Sequence, residues 1–324
     1  MDTIWGSTAQ YTAIAWGWEI AIYLFLAGLS AGAVIISILI QRRDDGQDSS
    51  WNGVVKAGAL LAPLAITVGL GLLIIDLGKP LSFYLLMIYY QPASVMSIGV
   101  ILLAVYTPAA LLYAITVFQE DLGDWAAGIA EKAEGRFLQN VNLLLAIGVG
   151  CYTGFLLSAM IAKPLYNVAV LPLLFLVSGL SAGAAASLLT GLLFFRDETE
   201  ESHVSYVYNM DSKIMGFEVI VLFLLFVGLH YQGGAHAVAA QSALSQGIWA
   251  YVFWLGVVGA GLALPLALHF FQSGSASADS ATAEIAATAE PSYGMVMMSS
   301  VLVLAGGLLL RFYILYAGQI FTGM

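Results

Sequence analysis

The sequence predicts an all-α integral membrane protein with eight transmembrane helices arranged as two related four-helix bundles. Only 9% of its 324 residues are charged and 60% are hydrophobic, whereas a soluble domain carries about 25% charged residues. Eight apolar runs approach the ~20 residues that a helix needs to cross the bilayer core. The hexamer GLSAGA occurs twice, at 28–33 and 179–184, which indicates an internal repeat.

The apolar runs follow one another with short connections. They lie at about 18–40, 54–75, 93–117, 139–162, 168–195, 214–234, 247–271 and 294–317. None alternates with the period of two that a membrane-spanning strand would show. The longest connections, at 119–137, 196–212 and 272–292, are too short to hold a folded domain. Any function is therefore expected within the membrane or at its rim.

The two GLSAGA copies lie near the start of the first and fifth runs, each shortly after the letters LFL. Small residues four apart on one face allow two helices to approach closely in lipid. Such motifs are also common in membrane helices without a special role, but two identical copies in matching contexts favour a duplicated unit. We therefore predict a first bundle over residues 1–165 and a second over 166–324, related by an axis along the membrane normal.

The basic residues indicate the orientation of a multi-pass protein in the cell membrane. Seven of the ten lysines and arginines flank the connections after the first, third and fifth runs. Because cytoplasmic connections are enriched in these residues, both termini are expected outside the cytoplasm. The net charge of −10 argues against a nucleic-acid partner, which needs a basic surface, and leaves the lipid bilayer as the evident one.

Ionisable side chains lie at the expected outer ends of the first two runs. Glu19 stands beside Trp16 and Trp18, and is either an interfacial acid in an aromatic belt or a proton acceptor at the entrance of a pocket. Asp76 and Lys79 close the second run. They form either a helix stop with a local ion pair or a rim on which a partner docks.

Tyr152 lies in the outer half of the fourth run. A buried phenol needs a hydrogen-bond partner, which either a ligand carbonyl or a neighbouring backbone oxygen supplies. The two halves differ in polarity, because the position that matches Glu19 in the second half is Val170. A shared scaffold with one polar half predicts one site, in the first four helices.

The second half carries Glu218 in the sixth run and Arg311 in the eighth. Each is either a step in a proton path or paired with backbone carbonyls. Their places along the runs put Glu218 near the inner side and Arg311 toward the outer side, too far apart for an ion pair. Lys56, at the inner rim of the second run, is expected to extend its amine toward water and is a further candidate for the proton path.

The cysteine and histidine content bears on cofactors. An iron–sulfur cluster takes four cysteine thiolates, and the sequence has one cysteine. The four histidines are scattered, so no pair at one depth is evident for a haem. We expect no metal site, haem or iron–sulfur cluster in this protein.

Three strings resemble the NrfD/PsrC family of membrane subunits. They are WGWEIAIYLFLAGLSAGA from Trp16, IIDLGKP ending at Pro80 and YTGFLLS from Tyr152. The family occurs in polysulfide reductase-type and nitrite reductase-type respiratory complexes. The resemblance implies two four-helix bundles and a quinone site in the first bundle near the outer face. It also implies a partner subunit with four iron–sulfur clusters and a molybdopterin or cytochrome catalytic subunit.

On this resemblance, the protein is a quinone-reactive anchor that exchanges electrons between membrane quinol and an extracytoplasmic iron–sulfur subunit, with or without proton translocation. The quinone is menaquinone or ubiquinone. Tyr152 would donate to one carbonyl, Glu19 would exchange the proton, and Asp76 with Lys79 would fix the rim and dock the partner. Further quinone contacts are assigned to Trp18, Tyr23, Thr153 and Ser158.

Two other functions fit an eight-helix membrane protein. One is a secondary transporter built on a parallel four-helix repeat, against which the lack of proline-broken helices with converging polar groups argues. The other is a purely structural anchor, which would not need a polar first half.

Overall fold

The computed structural model describes residues 16–43, 52–77, 80–123, 125–126, 128–129, 135–278 and 292–321. Within these ranges eight helices are long and apolar enough to cross a membrane, as predicted. They are α1 (Trp18–Arg43), α2 (Gly53–Asp76), α3 (Val95–Val117), α4 (Arg136–Ser158), α5 (Leu171–Phe194), α6 (Glu201–Gln232), α7 (Gly247–Phe271) and α8 (Tyr293–Ile320).

The sixth helix begins earlier than its apolar run. It starts at Glu201 rather than near 214, so the expectation that 196–212 is a connection is wrong for most of that stretch. The polar side chains that lower its hydropathy have partners on other helices. The His203 ring lies 2.6 Å from the Asn52 amide, and Asp211 accepts a hydrogen bond of 2.7 Å from Ser181. Tertiary contacts therefore stabilise a helix that hydropathy alone does not predict.

The two GLSAGA copies pack against each other where α1 crosses α5. These are the most buried spans, at 78% and 72%, so the crossing is the centre of the molecule. A Cβ on Gly179 would lie 2.8 Å from the carbonyl oxygen of Gly28, and at Gly32 and Gly183 the opposing backbone is closer still. The prediction that small residues allow these helices to approach closely is confirmed.

Successive helices run in opposite directions, so the bundle has two ends. We name them the Trp18 end, where α1 begins, and the Arg43 end, where it finishes. At the Trp18 end the backbone of Trp16 donates to the Gln319 amide at 2.9 Å, and Lys163 donates to the Gln319 carbonyl at 3.1 Å. These contacts join the start of α1 and the α4–α5 connection to the end of α8.

Lys56 is held at the Arg43 end by two carboxylates. Its amine lies 2.8 Å from Glu198 and 3.1 Å from Asp121, and its side chain is only 9% exposed. The expectation that it extends into water is wrong, because the segments that follow α3 and α5 bring their acids to it. The ion pairs connect α2 to both segments.

Two buried layers join α1, α2 and α3, each with a serine of α1 between a backbone carbonyl of α2 and a tyrosine of α3. The members are Ser30, Ala62 and Tyr106 in one layer and Ser37, Val55 and Tyr113 in the other. The serine hydroxyls donate to the carbonyls at 2.7 and 2.9 Å and lie 2.9 Å from the tyrosine hydroxyls. The layers repeat because seven residues are close to two turns of a helix.

We expect Ser30→Ala to lower the free energy of unfolding by about 1–3 kcal/mol, because the Tyr106 hydroxyl would stay buried without its partner. Thermal unfolding in detergent measures the effect. The double variant Ser30→Ala/Tyr106→Phe removes both hydroxyls and should recover most of the loss. A double variant that is no more stable than Ser30→Ala would contradict this role for the layer.

Candidate functional site

Tyr23 of α1 and Tyr152 of α4 lie on contacting helices near the Trp18 end, beyond the two serine–tyrosine layers. Tyr23 is fully buried, and its hydroxyl has no hydrogen-bond partner among the residues that the structure describes. Tyr152 of α4 is 7% exposed and is close enough to Tyr23 for an electrostatic interaction. A buried hydroxyl without a partner costs about 1–3 kcal/mol. The Tyr23 hydroxyl therefore has hydrogen-bonding capacity that the described residues do not use.

Two carboxylates lie on the rim beside this pair. Glu19 is half-buried in the first turn of α1, where the helix N-terminus stabilises a negative charge, and Asp76 is the exposed last residue of α2. They are close enough to interact electrostatically. Lys79 lies outside the described residues. The rim is thus acidic, with Glu19 half-buried and Asp76 exposed.

The other residues assigned to the site differ in their exposure and in their hydrogen bonds. Trp18 is 52% exposed at the start of α1. The Thr153 hydroxyl donates to the Gly150 carbonyl at 2.9 Å, and the Ser158 hydroxyl donates to the Phe155 carbonyl at 3.2 Å. Both protons are used within α4, so these hydroxyls are left as acceptors. Of the hydroxyls assigned to the site, the two phenols are the ones left as donors.

A second polar cluster lies between α5 and α6. Asp211 and Glu218 are 3% and 5% exposed and are two turns apart on one face of α6. Ser181 donates to Asp211 at 2.7 Å, and Ser178 interacts with Glu218. A cavity of about 10 Å³ adjoins this face, lined by Ser178, Ser181, Glu218, Gly306 and Gly307 among others. It has room for about one water molecule.

Part of the cavity wall is an uncommon element. Residues Val252–Ala263 of α7 wind as a π-helix, and Val257, Gly261 and Leu262 of this segment line the cavity. Gly261 packs against Gly306 of α8 so closely that a Cβ on either glycine would overlap the other backbone. The π-helix and α8 therefore supply walls of the cavity that Glu218 also lines.

Arg311 completes the second cluster from α8. It is 1% exposed, and its Nη2 donates to the Phe175 carbonyl at 3.1 Å. Pairing with a backbone carbonyl, one of its two expected roles, is therefore observed. Its guanidinium also lies 4.2 Å from the centre of the Phe175 ring. Among the described residues, Nε and Nη1 have no hydrogen-bond partner.

The depths expected for Glu218 and Arg311 are wrong. Their contacts on α5, Ser178 and Phe175, are less than one turn apart, and the two side chains interact electrostatically. Glu218 lies further from the Arg43 end than expected because α6 begins at Glu201 and has 32 residues.

Asp211 is a buried residue of this cluster that the sequence does not identify, since it falls in a predicted connection. Its seven-residue spacing from Glu218 was the available signal.

No group of three or more His, Cys, Asp or Glu side chains that could hold a metal ion occurs within the described ranges.

Comparison with known proteins decides the family. A family model described as "Polysulphide reductase, NrfD" matches residues 6–323. The chain belongs to the NrfD family.

Relatives in this family cover most of the sequence. It is similar to the C subunit of polysulfide reductase from Wolinella succinogenes, 48% identical over 330 residues that span both proteins in full. Protein NrfD of Escherichia coli is 35% identical over 97% of this sequence and 98% of its own. A more distant relative is the Hdr-like menaquinol oxidoreductase integral membrane subunit of Archaeoglobus fulgidus, at 25% identity over 82% of this sequence and 65% of its own. As an NrfD protein whose described ranges hold eight apolar helices, the molecule is a multi-pass protein of the cell membrane.

Proposed function

We propose that this NrfD protein is the quinone-reactive membrane subunit of a respiratory oxidoreductase complex. The observation that carries the proposal is the buried hydroxyl of Tyr23, which has no hydrogen-bond partner among the described residues and lies close enough to Tyr152 for an electrostatic interaction. A quinone has carbonyl oxygens that accept hydrogen bonds, and its ring and tail suit an apolar site near the membrane surface. The name of the Archaeoglobus relative, a menaquinol oxidoreductase subunit, supports menaquinone over ubiquinone.

The residues of the first half take complementary roles in this proposal. Tyr23 and Tyr152 donate hydrogen bonds to the quinone oxygens and hold its ring. Glu19 accepts a proton released on quinol oxidation and passes it to water at the Trp18 end, because it is half-buried one turn from Tyr23 and interacts with the exposed Asp76. Trp18, Thr153 and Ser158 line the approach.

The electrons leave through a partner. Asp76, at the end of α2, and Lys79, three residues later in the sequence, dock a subunit with four iron–sulfur clusters. A molybdopterin or cytochrome subunit carries the substrate chemistry. The name of the Wolinella relative, the C subunit of a polysulfide reductase, supports assembly with other subunits. The exposure of Asp76 suits a contact that forms on assembly.

We also propose that the halves, 1–165 and 166–324, are a parallel duplication with both termini outside the cytoplasm. The helix contacts support the duplication. In the first half α1 contacts α2 and α4, and in the second half α5 contacts α6 and α8 in the same way. Likewise, α3 contacts α4 in the first half and α7 contacts α8 in the second.

A cysteine added at the C-terminus of a Cys151→Ser variant tests the orientation. It should react with an impermeant maleimide from the outer side of intact cells. Reaction only after the cells are opened would contradict the orientation.

The second cluster is proposed as a proton path through Asp211, Glu218 and Arg311, with Lys56 near its cytoplasmic start. Glu218→Gln removes the titrating carboxyl beside the cavity. We expect it to abolish proton translocation by the complex in vesicles and to change quinol oxidation without a gradient by less than about twofold, because the quinone site is in the other half. Asp197→Asn, an exposed acid, is the control. Unchanged proton translocation in Glu218→Gln would contradict the path.

Quinol oxidation by the purified complex tests the proposed function. A soluble menaquinol analogue should reduce the partner's iron–sulfur clusters only when this subunit is present. Equal reduction without it would leave a structural anchor as its function. Solute uptake by vesicles that hold this subunit alone would favour a transporter.

A further inference from the structure

We infer that Gly99 is a positioning residue, whose missing side chain lets the Tyr152 phenol enter the layer that contains Tyr23. The inference rests on the proposed function, because it concerns how the same site is built. Its basis is the seven-residue register that α1, α2 and α3 share, which the serine–tyrosine layers make visible.

The third layer of this register lies at the Trp18 end. It is reached by moving seven residues along each helix from the layer of Ser30, Ala62 and Tyr106. The members are Tyr23 of α1, Gly69 of α2 and Gly99 of α3. In this layer α1 supplies the large residue, a tyrosine, and α3 supplies the small one, a glycine. In the other two layers α1 supplies a serine and α3 supplies the tyrosine, so the sizes are reversed.

Tyr152 of α4 fills the space that this reversal creates. A Cβ built on Gly99 would overlap the ring and the hydroxyl of Tyr152. The phenol therefore occupies the volume in which a side chain at residue 99 would begin. A Cβ on Gly69 would lie 3.4 Å from the Tyr23 ring, an ordinary contact, so the close approach is specific to α3.

The reversal changes what the layer does. In the two inner layers every serine and tyrosine hydroxyl has a partner within the protein. In the third layer the Tyr152 phenol of α4 occupies the place of a side chain on α3, and the Tyr23 hydroxyl of α1 has no partner in the described residues. The third layer thus lacks the serine–tyrosine hydrogen bond that joins α1 and α3 in the other two layers. The hydroxyls of Tyr23 and Tyr152 are instead the donors proposed for the ligand. Gly99 is required because a larger residue displaces one of them.

The test is Gly99→Ala in the purified complex, with a menaquinol analogue as the probe. We expect the KM for the analogue to rise about tenfold, the scale of one lost hydrogen bond, with a smaller change in kcat. Gly148→Ala is the matched control on the same α3–α4 interface. Its Cβ would meet only the end of the flexible Leu102 side chain, at 3.2 Å, so KM should stay within about twofold.

A double-mutant cycle separates positioning from general damage to the fold. In a Tyr152→Ala background the added methyl group has room, so Gly99→Ala should change neither the unfolding temperature nor KM further. Gly99→Ala effects of equal size in both backgrounds would overturn the inference, as would an unchanged KM in the single variant.

The unfolding temperature is measured without quinone, which distinguishes the two proposals. Coupling between residues 99 and 152 in stability, with quinol kinetics unaffected in every variant, would show that the contact exists but that the site is not the quinone site. That result would overturn the proposed function and the positioning role together. Coupling in both stability and KM supports both.

Discussion

Replacing Tyr23 by phenylalanine is expected to make the protein more stable and less active. The change removes a buried hydroxyl that has no partner in the described structure, so the free energy of unfolding should rise by about 1 kcal/mol. The same change removes a donor to the bound quinone, so kcat/KM for a menaquinol analogue should fall roughly 10–100-fold. Tyr152→Phe should cause a similar loss of activity.

Tyr313→Phe is the matched control for this prediction. Tyr313 is also fully buried, and its hydroxyl also lacks a partner among the described residues, but it lies on α8 in the other half. We expect the same gain in stability with kcat/KM unchanged. A complex with Tyr23→Phe that is as active as one with Tyr313→Phe would mean that the Tyr23 hydroxyl does not serve the quinone.

Replacing Gly32 by valine is expected to prevent stable folding. The backbone of Gly179 lies where the new side chain would begin, and the backbone of a central helix does not move aside as the end of a flexible side chain does. We expect a loss of about 3 kcal/mol or more in the free energy of unfolding, at the upper end of the cost of overpacking. Thermal unfolding and the yield of folded subunit in detergent measure it.

The control for this variant is Gly71→Val on α2, where nothing lies within 4 Å of an added Cβ. It should fold with the yield of the unchanged protein. If Gly32→Val were equally well tolerated, the α1–α5 crossing would not be the close contact that the two hexamers form.

The sequence predicts the spans and the central crossing because both depend on local features. Apolar runs of sufficient length give eight helices, and the repeated glycines give the crossing of α1 and α5. The start of α6 and the surroundings of Lys56 depend instead on partners remote in sequence, such as Asn52 for His203 and Glu198 for Lys56. Hydropathy averaged over neighbouring residues contains no information about such pairs.

The candidate site is predicted in part for the same reason. Glu19, Asp76 and Tyr152 stand out as polar groups in apolar runs, so the sequence identifies them singly. That the Tyr23 hydroxyl has no partner among the described residues and that Gly99 makes room for Tyr152 follow only from the packing of the helices against one another. Asp211 escapes notice because its burial depends on Ser181 of a neighbouring helix.

Photo-crosslinking with an azido-quinone tests the central claim most directly, namely that the quinone binds between α1, α3 and α4. The complex is illuminated with the probe, and the labelled peptides of this subunit are mapped by mass spectrometry, with and without excess menaquinol analogue. We predict displaceable label on the peptides that contain Tyr23, Gly99 or Tyr152. Displaceable label confined to α5–α8, or absent from this subunit, would contradict the claim.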